Sequence, residues 1–455
     1  MDAGEVEVVR GEVDALLGEL ELERYRHVAG VEAAPSLAPL FRARGRAAHR
    51  ATVAALRARQ EGALADRVAA LRAERAAAGE EEAWRAADAA ARVRGPDGEL
   101  PLSEALLRLP RERDRDRRRA LGRAAGEALA AASPHREAAA ELRARARAEG
   151  GLTPDWDAVV AADGLLAATD DAWRDLLGWL ARQEGLLPRP RGDLDRGDLL
   201  FLLALPGLDG LFPAGMLPLA LRDTLAPLRL DLSRIRVDDA GRPGRWPGAH
   251  AAGPRVCLRR QGGVADWEGL LGAAGRALAA ALGPRPHARE PALPFTLGAL
   301  LSDLLLDPGW LSRRLGADRK ELADLVRLLS LRRLFALRCA AASLRVAAEV
   351  ERGTSGAAWR AAHREALSLA TLAAWPDGLA ARDADGPGAL ALLRGAARAE
   401  RLRAAWVERY DEDWWRNPKA ADAVAGLLSG GGTGGGAGDE PALGLAGEAL
   451  VRLMQ

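Results

Sequence analysis

The chain has 455 residues, of which 49% are hydrophobic and 28% are charged, a balance typical of a folded protein with large cores. Its 65 Lys and Arg residues and 64 Asp and Glu residues leave a formal charge of +1, so no overall positive field attracts nucleic acid or an anionic membrane. The most apolar stretch, 199–212, is interrupted by proline, glycine and aspartate and falls short of the roughly 20 apolar residues of a membrane span. Since Cys257 and Cys339 form no CxxC pair and the acidic N-terminus is unlike a signal peptide, we expect a soluble, cytoplasmic protein without nucleic-acid or membrane partners.

The first part of the chain is predicted to be helical. From Val6 to about Arg94, apolar residues recur three and four positions apart with Arg and Glu between them. The segment VRGPDGELP then indicates a turn, and RERDRDRRR, residues 111–119, alternates in charge sign as a solvated helix face does. A second helical block follows. Together these helices predict an N-terminal helical lobe over residues 1–185.

Strand character is confined to one region of the second lobe, which is predicted to span 186–455. LRLDLSRIRVDD, from Leu228, and PRVCLRR, from Pro254, both alternate apolar and polar residues around a connection rich in Gly and Pro. This pattern predicts one small antiparallel sheet at about 228–260. Helical periodicity then resumes, and the run GGGTGGGAG predicts a flexible linker over 430–438.

The helix predicted at about 267–282 is apolar and rich in alanine. Asp266 stands immediately before it as a predicted N-cap, and Leu270, Leu271 and Leu278 share one side. Its composition predicts a well-packed helix.

Between Gly197 and Leu311, several segments resemble the zinc-dependent oligopeptidases of the thimet oligopeptidase and oligoendopeptidase F family. They are RGDLLFLLALPGLDGLFPAGMLPLALRDTL, RIRVDDAGRPGR, QGGVADWEGLLGAAGRALAAAL and ALPFTLGALLSDLLLDPGWL. The resemblance implies a mainly α, zincin-like metallopeptidase fold, with helical lobes around a cleft and one small sheet.

In that family, a His-Glu-x-x-His helix binds zinc and supplies the general base, because residues four apart share one helical face. Carried onto this chain, the two His positions fall on Gly272 and Arg276 and the Glu position on Ala273. The third ligand falls at or near Phe295, and the segment matching the family's late tyrosine contains no tyrosine. The resemblance therefore implies a degenerate member with no catalytic residues, no metal ligands and no zinc.

Other residues provide only weak candidates for a replacement site. No two of the six histidines have metal-ligand spacing, and His287, in the segment HARE, is predicted to lie in a solvated loop. Asp303 could face the cleft, while Asp307 is expected to end a helix. The pair Trp414-Trp415 is either core or an exposed recognition patch.

Three functions remain open. The first is an inactive pseudo-peptidase that binds a peptide or protein, with PRVCLRR as an edge strand presenting Val256 and Leu258 to a peptide by β-augmentation. Arg276, close to where the metal would lie, is then expected to pair with Asp303 or with a peptide carboxylate. The second function is a helical scaffold or assembly subunit. The third is an oligopeptidase (metalloendopeptidase) with an unorthodox metal site.

Overall fold

The computed structural model describes residues 1–95, 97–187, 194–242, 244–383, 386–430 and 442–455. The predicted linker at 430–438 lies outside these residues, apart from Gly430. No helix in this described part of the chain has the length and apolarity needed to cross a membrane.

Most of the described chain is helical, as predicted. The α-helices are α1 (Ala3–Val28), α2 (Ala38–Ala43), α3 (Arg50–Ala58), α4 (Gly62–Ala90), α5 (Leu102–Arg108), α6 (Arg115–Ala128), α7 (Ser133–Glu149), α8 (Trp156–Gln183), α9 (Arg196–Ala204), α10 (Leu217–Leu225), α11 (Val264–Leu282), α12 (Leu293–Ser302), α13 (Pro308–Leu315), α14 (Leu322–Glu351), α15 (Gly356–Thr371), α16 (Asp377–Asp383), α17 (Gly386–Tyr410), α18 (Ala420–Leu428) and α19 (Leu445–Met454). A short 3-10 turn, Asp303–Leu306, connects α12 to α13.

The strands form two small sheets among the described residues, where the sequence predicted one. Strands β1 (Arg92–Gly95) and β2 (Gly98–Pro101) form an antiparallel hairpin in the segment that we interpreted only as a turn. Its strands of four residues are too short to show a clear alternation of apolar and polar side chains.

The second sheet corrects the predicted pairing. It contains β3 (Arg236–Asp238), β4 (Gly248–Ala252) and β5 (Arg255–Arg259) in the order β3-β5-β4. Strands β3 and β5 are parallel, and the antiparallel partner of β5 is β4. The sequence of β4, GAHAA, has no β-branched residue, so it was hidden in the Gly/Pro-rich connection. Gly253, with φ of 57°, makes the tight turn between β4 and β5.

Two large groups of buried apolar side chains are separate in the fold. One joins α1 to the helices that follow it, from Val6 to Ala78. The larger extends from Ala158 in α8 to Met454 in α19 and includes most of α11, α12 and α14. Because α8 contributes to the larger core, packing alone does not mark the lobe boundary after residue 185, which stays a prediction.

Only one side of the segment 111–119 is the solvated face that its alternating charges indicated: residues 113, 114, 116 and 117 are exposed, whereas Arg118 is buried. Arg118 is 0% exposed and donates from Nη2 to the equally buried Asp198 of α9 at 2.7 Å. Arg115 and Arg119 also bond to this carboxylate, at 3.2 Å and 2.9 Å. The charge pattern could not show that a carboxylate about 80 residues away lies against this helix.

Candidate ligand-binding cleft

Helix α11 begins earlier than the sequence predicted. Its N-cap is Gly263, whose φ of 57° lies in the left-handed region that glycine readily adopts. Asp266 lies in the first turn of the helix, and its Oδ1 accepts a hydrogen bond from the backbone N–H of Gln261 at 2.6 Å. The predicted N-cap at Asp266 is therefore wrong: its carboxylate binds the chain before the helix rather than the helix itself.

Glycines bring α11 and α12 into backbone contact. A Cβ on Gly275 would lie 2.5 Å from the carbonyl oxygen of Leu297. A Cβ on Gly298 would lie 2.9 Å from the carbonyl oxygen of Gly272. Both distances are shorter than a carbon–oxygen contact allows, so only glycine fits at Gly275 and Gly298. This crossing fixes the spacing of the two helices that the resemblance assigns to metal binding.

The structure brings together only some of the four positions inferred from the resemblance. Gly272 and Arg276 are neighbours on α11, and the Cβ position of Gly272 lies 3.7 Å from both Arg276 Nη1 and Ser302 Cβ. Ala273 is completely buried in the large core. Phe295 packs its backbone and Cβ against α17. The residue of α12 closest to Gly272 is thus Ser302 or Gly298 rather than Phe295.

Arg276 does not make the expected ion pair with Asp303. Burial, together with the nearby Arg333 guanidinium, lowers the pKa of Arg276 to about 10. Asp303 pairs instead with Arg333, whose Nε lies 2.7 Å from Asp303 Oδ1. Within the described part of the chain, Arg276 has no hydrogen bond or ion pair. It is a half-buried cation on the face of α11 that carries Gly272.

The adjacent arginine of α14 makes a second bridge. Arg332 pairs through Nε with Glu268 of α11 and donates from Nη1 to the carbonyl oxygen of Leu203 in α9 at 2.7 Å. Between Glu268, Ser302 and Arg333 only about 10 Å³ of space remains, about enough for one water molecule. Two ion pairs therefore connect α14 to α11 and to the turn after α12, with little space left between them.

A cavity of about 380 Å³ lies on the other side of the Glu268–Arg332 pair. This volume is within the range of small-ligand sites. Its polar lining comes from separate elements and consists of Arg111, Arg196, His250, Gln261, Glu268, Arg332 and Arg382. The apolar lining includes Leu200, Trp246, Phe335 and Ala336.

Each cavity arginine is paired with a carboxylate, and two of their terminal nitrogens are buried without a hydrogen-bond partner among the described residues. Arg196 is 8% exposed and donates from Nη2 to Asp383 at 2.7 Å, while its buried Nη1 has no hydrogen-bond partner among the described residues. Arg111 pairs through Nη1 with Asp209, and its buried Nη2 likewise has no described partner. Buried donors without acceptors are rare and costly in folded proteins.

His250 adds an acceptor to the lining. Its Nε2 lies 2.9 Å from the carbonyl oxygen of Pro247, so Nε2 carries the proton and donates it. Burial lowers the pKa of His250 to about 4, which keeps the ring neutral near pH 7. Nδ1 therefore has a lone pair, and no described protein group bonds to it.

Val256 and Leu258 do not form the peptide-binding edge that the sequence suggested. They lie in β5, the central strand, paired with β3 on one side and β4 on the other. Their side chains are 0% and 2% exposed. The alternation of PRVCLRR reflected burial in a sheet and could not distinguish a central strand from an edge.

The histidines do not assemble a replacement site. His287 is not in a free loop: its Nδ1 lies 2.9 Å from Oδ2 of Asp14 in α1, and its backbone N–H donates to Oδ1 at 2.7 Å. His363 approaches Ser343 Oγ at 3.5 Å, but both side chains are buried beyond the reach of a substrate. Across the described ranges, no group of three or more His, Cys, Asp or Glu could hold a metal ion.

Two further expectations concern α13 and the tryptophan pair. Asp307 caps α13, accepting from the backbone N–H of Trp310 at 2.8 Å, which agrees with a helix boundary there. Trp414 and Trp415 are 2% and 1% exposed. They belong to the core, so the alternative of an exposed recognition patch is wrong.

Sequence reasoning missed the cavity residues, because they come from segments far apart in the chain. The one usable signal was charge within apolar helices: Glu268 interrupts α11, and Arg332 and Arg333 interrupt α14. Nothing in their spacing indicated that α14 would lie against α11.

Comparison with known proteins supports the fold. No protein-family model and no curated protein matches the sequence. Among solved structures, a chain designated oligoendopeptidase F is similar, with a TM-score of 0.62 and 11% identity, over 93% of this chain and 78% of that one. PZ peptidase A, solved with an inhibitor, has a TM-score of 0.56 and 12% identity, over 97% and 86%. A Bacillus anthracis chain also designated oligoendopeptidase F has a TM-score of 0.54 and 12% identity, over 99% and 85%. The mainly α, zincin-like metallopeptidase fold is thereby confirmed.

Proposed function

We propose that this chain is a catalytically inactive metallopeptidase-like protein that binds a peptide or protein segment in its cleft. The observation that supports inactivity is on one face of α11. There, Gly272 and Arg276 lie beside each other in a fold similar to that of oligopeptidases. A zincin needs two imidazoles at these positions.

The residues present do not fit zinc. Glycine has no donor atom, and arginine stays protonated and cannot become a ligand. The positive charge of Arg276, which is half-buried, also repels a second cation in the same space. The nearest side chain of α12, Ser302, uses its hydroxyl to donate to the Ala299 carbonyl oxygen at 3.3 Å. We therefore expect the protein to bind no zinc cofactor and to hydrolyse no peptide bond.

Ligand binding is supported by the cavity beside the Glu268–Arg332 pair. It has a volume of about 380 Å³, and its lining combines charged and apolar side chains with the acceptor nitrogen of His250. Because β5 is the central strand, a peptide cannot pair with the backbone of Val256 and Leu258 as an added strand. The proposed ligand contacts side chains of the cavity instead.

The closed side of α11 favours the second function, a helical scaffold or assembly subunit. The Arg332–Glu268 and Arg333–Asp303 pairs leave almost no space there. A scaffold would bind partners on its outer surface and would leave the cavity unused. A cytoplasmic location and the absence of nucleic-acid and membrane partners remain predictions for either function.

Two measurements on the purified full-length protein test the proposal. Metal analysis should find no stoichiometric zinc, and a quenched fluorescent peptide should stay uncut with or without a chelator. Calorimetry with short peptides should show binding. Stoichiometric zinc with chelator-sensitive cleavage would establish the third function, the oligopeptidase with an unorthodox site. Absence of peptide binding would favour the scaffold.

A further inference from the structure

We propose that the 380 Å³ cavity binds an uncharged amide group of its ligand through Gln261 and His250. This inference rests on the proposed function for the nature of the ligand, a peptide, and specifies which group of the peptide the cavity recognises. Among the described residues, neither the side-chain amide of Gln261 nor Nδ1 of His250 has a hydrogen-bond partner. Both side chains are half-buried and these atoms are open to solvent, so a ligand in the cavity can reach them.

The charges on the cavity lining are already balanced. Each of its four arginines pairs with a carboxylate; they are Arg111, Arg196, Arg332 and Arg382. Glu268, the carboxylate on the lining, is the partner of Arg332. A charged ligand group would lose its hydration here without gaining a free counter-charge, which is costly. The cavity therefore favours an uncharged ligand group.

Gln261 and His250 offer a donor and an acceptor to such a group. Nε2 of His250 donates to the carbonyl oxygen of Pro247 at 2.9 Å, so Nδ1 accepts. Burial lowers the pKa of His250 to about 4, which keeps the ring neutral near pH 7. The side-chain nitrogen of Gln261 donates. An amide has the matching pair, an N–H for His250 and a carbonyl oxygen for Gln261.

The spacing of the two residues also fits an amide. A Cβ on Gly248 would lie 2.9 Å from Nε2 of Gln261, so the Gln261 amide lies beside the first residue of β4. His250 is two residues further along this strand, about 7 Å away at the usual rise per residue. The N–H and C=O of a trans amide are on different atoms and point in opposite directions, so one amide can bond to both partners. A hydroxyl group donates and accepts at a single oxygen and spans a shorter distance.

The rest of the lining determines what carries the amide. Its apolar side chains include Leu200, Trp246, Phe335 and Ala336, which favour an apolar body. A volume of about 380 Å³ is at the lower end of the range for ligand pockets, so it accommodates one amide with an adjoining apolar group rather than an extended segment. In a peptide the amide has two sources, the main chain and the side chain of glutamine or asparagine.

Calorimetry of the full-length protein with three small probes tests the amide. The probes share one aromatic body: N-methyl-3-phenylpropanamide, methyl 3-phenylpropanoate and 3-phenylpropanoate. The ester has the size of the amide but no N–H, and the acid is charged. We expect the amide to bind at least about tenfold more tightly than either, as loss of a hydrogen bond or burial of an unpaired charge implies. Equal or tighter binding of the ester or the acid would overturn the inference.

Matched variants test the assigned residues. Gln261→Met removes the amide from the lining with little change in size and should weaken binding of the amide probe by about tenfold. The control, Gln183→Met, alters an exposed glutamine outside the cavity and should leave binding unchanged. His250→Phe removes the acceptor and should abolish the preference for the amide over the ester. If these variants do not fold, Ala336→Leu, which fills the cavity, should weaken binding and decides. Unchanged affinity in folded Gln261→Met or in Ala336→Leu would overturn the assignment.

Peptide probes identify the source of the amide and test the proposed function separately. They are N-acetylated alanine tetrapeptides with a C-terminal N-methylamide and one internal Gln, Glu or Met. Tighter binding of the Gln peptide would assign the side-chain amide, and equal binding of the Gln and Met peptides would assign the main chain; both support the inference. A preference for the Glu peptide would overturn it.

The two probe sets separate the inference from the proposed function. If the peptides bind but the small amide is not preferred, the inference is wrong and peptide binding stands. If the small amide binds with the expected preference and no peptide does, the amide site stands and the proposed peptide binding is wrong. If no probe of either set binds, both are wrong.

Discussion

Arg333 takes the carboxylate that Arg276 was expected to use: its Nε lies 2.7 Å from Oδ1 of Asp303. This contact joins α14 to the turn after α12, and the two side chains are 13% and 23% exposed. Arg276 is left as a half-buried cation without a described partner, and its pKa is lowered to about 10. The electrostatics at the position that the resemblance assigns to a metal are thus set partly by α14, a helix that the sequence did not associate with it.

Breaking this pair should destabilise the protein. Arg333→Ala leaves the Asp303 carboxylate, whose pKa is already raised by burial, without its cation. We expect a loss of about 3 kcal/mol in the free energy of unfolding. A double-mutant cycle with Asp303→Ala, followed by urea unfolding, should give a coupling energy of about 1–3 kcal/mol.

The exposed pair Arg229–Asp422 provides the control for this cycle. Its side chains are 70% and 79% exposed at a separation of 3.2 Å. The same cycle there should give less than about 1 kcal/mol. Equal coupling in both pairs would contradict the structural role assigned to Arg333.

Gly275→Ala should disrupt the crossing of α11 and α12. The new Cβ would lie 2.5 Å from the Leu297 carbonyl oxygen, which belongs to the backbone and cannot rotate away. We expect a loss of about 1–3 kcal/mol in the free energy of unfolding, as for other overpacked cores. Gly164→Ala, in α8, is the control: no atom lies within 4 Å of its Cβ position, so alanine should stabilise by about 0.5–1 kcal/mol. Stabilisation by both changes would show that the helices are not in backbone contact.

The helical content and fold class could be predicted because they depend on local periodicity and on a dispersed resemblance. The pairing of β5 could not, since alternation in PRVCLRR reports burial and says nothing about neighbours. Similarly, the sequence showed that Gly272 and Arg276 share a helical face, but not that Arg332 and Arg333 would close one side of it. The sequence predicted too late a start for α11. Its N-cap, Gly263, has a positive φ and no side chain that would identify it as a cap.

Stability should decrease as the pH falls below about 6.5, the pKa of an unperturbed histidine. Burial lowers the pKa of His27 to about 4 and that of His363 to about 3. Between pH 6.5 and these values the unfolded chain binds protons at both rings, whereas the folded protein does not. Each histidine should therefore cost about 1.4 kcal/mol per pH unit in this window.

Urea unfolding at pH 7 and at pH 5 measures this effect. The double change His27→Gln and His363→Gln should make stability less dependent on pH over this interval. His49→Gln, at an exposed residue, should leave the dependence unchanged. If the double variant keeps the pH dependence of the original protein, other groups cause it.

Arg118→Leu should be strongly destabilising, although the residue lies in a segment of alternating charge. It would leave the Asp198 carboxylate, which is completely buried, with fewer donors. We expect a loss of about 3 kcal/mol in the free energy of unfolding. Arg117→Leu, one position earlier and 46% exposed, should change stability by less than about 1 kcal/mol. Thermal and urea unfolding of the two variants would distinguish a buried anchor from a solvated face.

Helix α1 is anchored to partners that lie far away in the chain. Tyr25 donates to Asp238 at 2.8 Å across 213 residues, and Asp14 binds His287 across 273 residues. During synthesis on the ribosome, these bonds cannot form until the ribosome has passed residues 238 and 287. The first helix can pack early against its sequence neighbours, but its docking on the sheet and on the loop after α11 is a late event of folding.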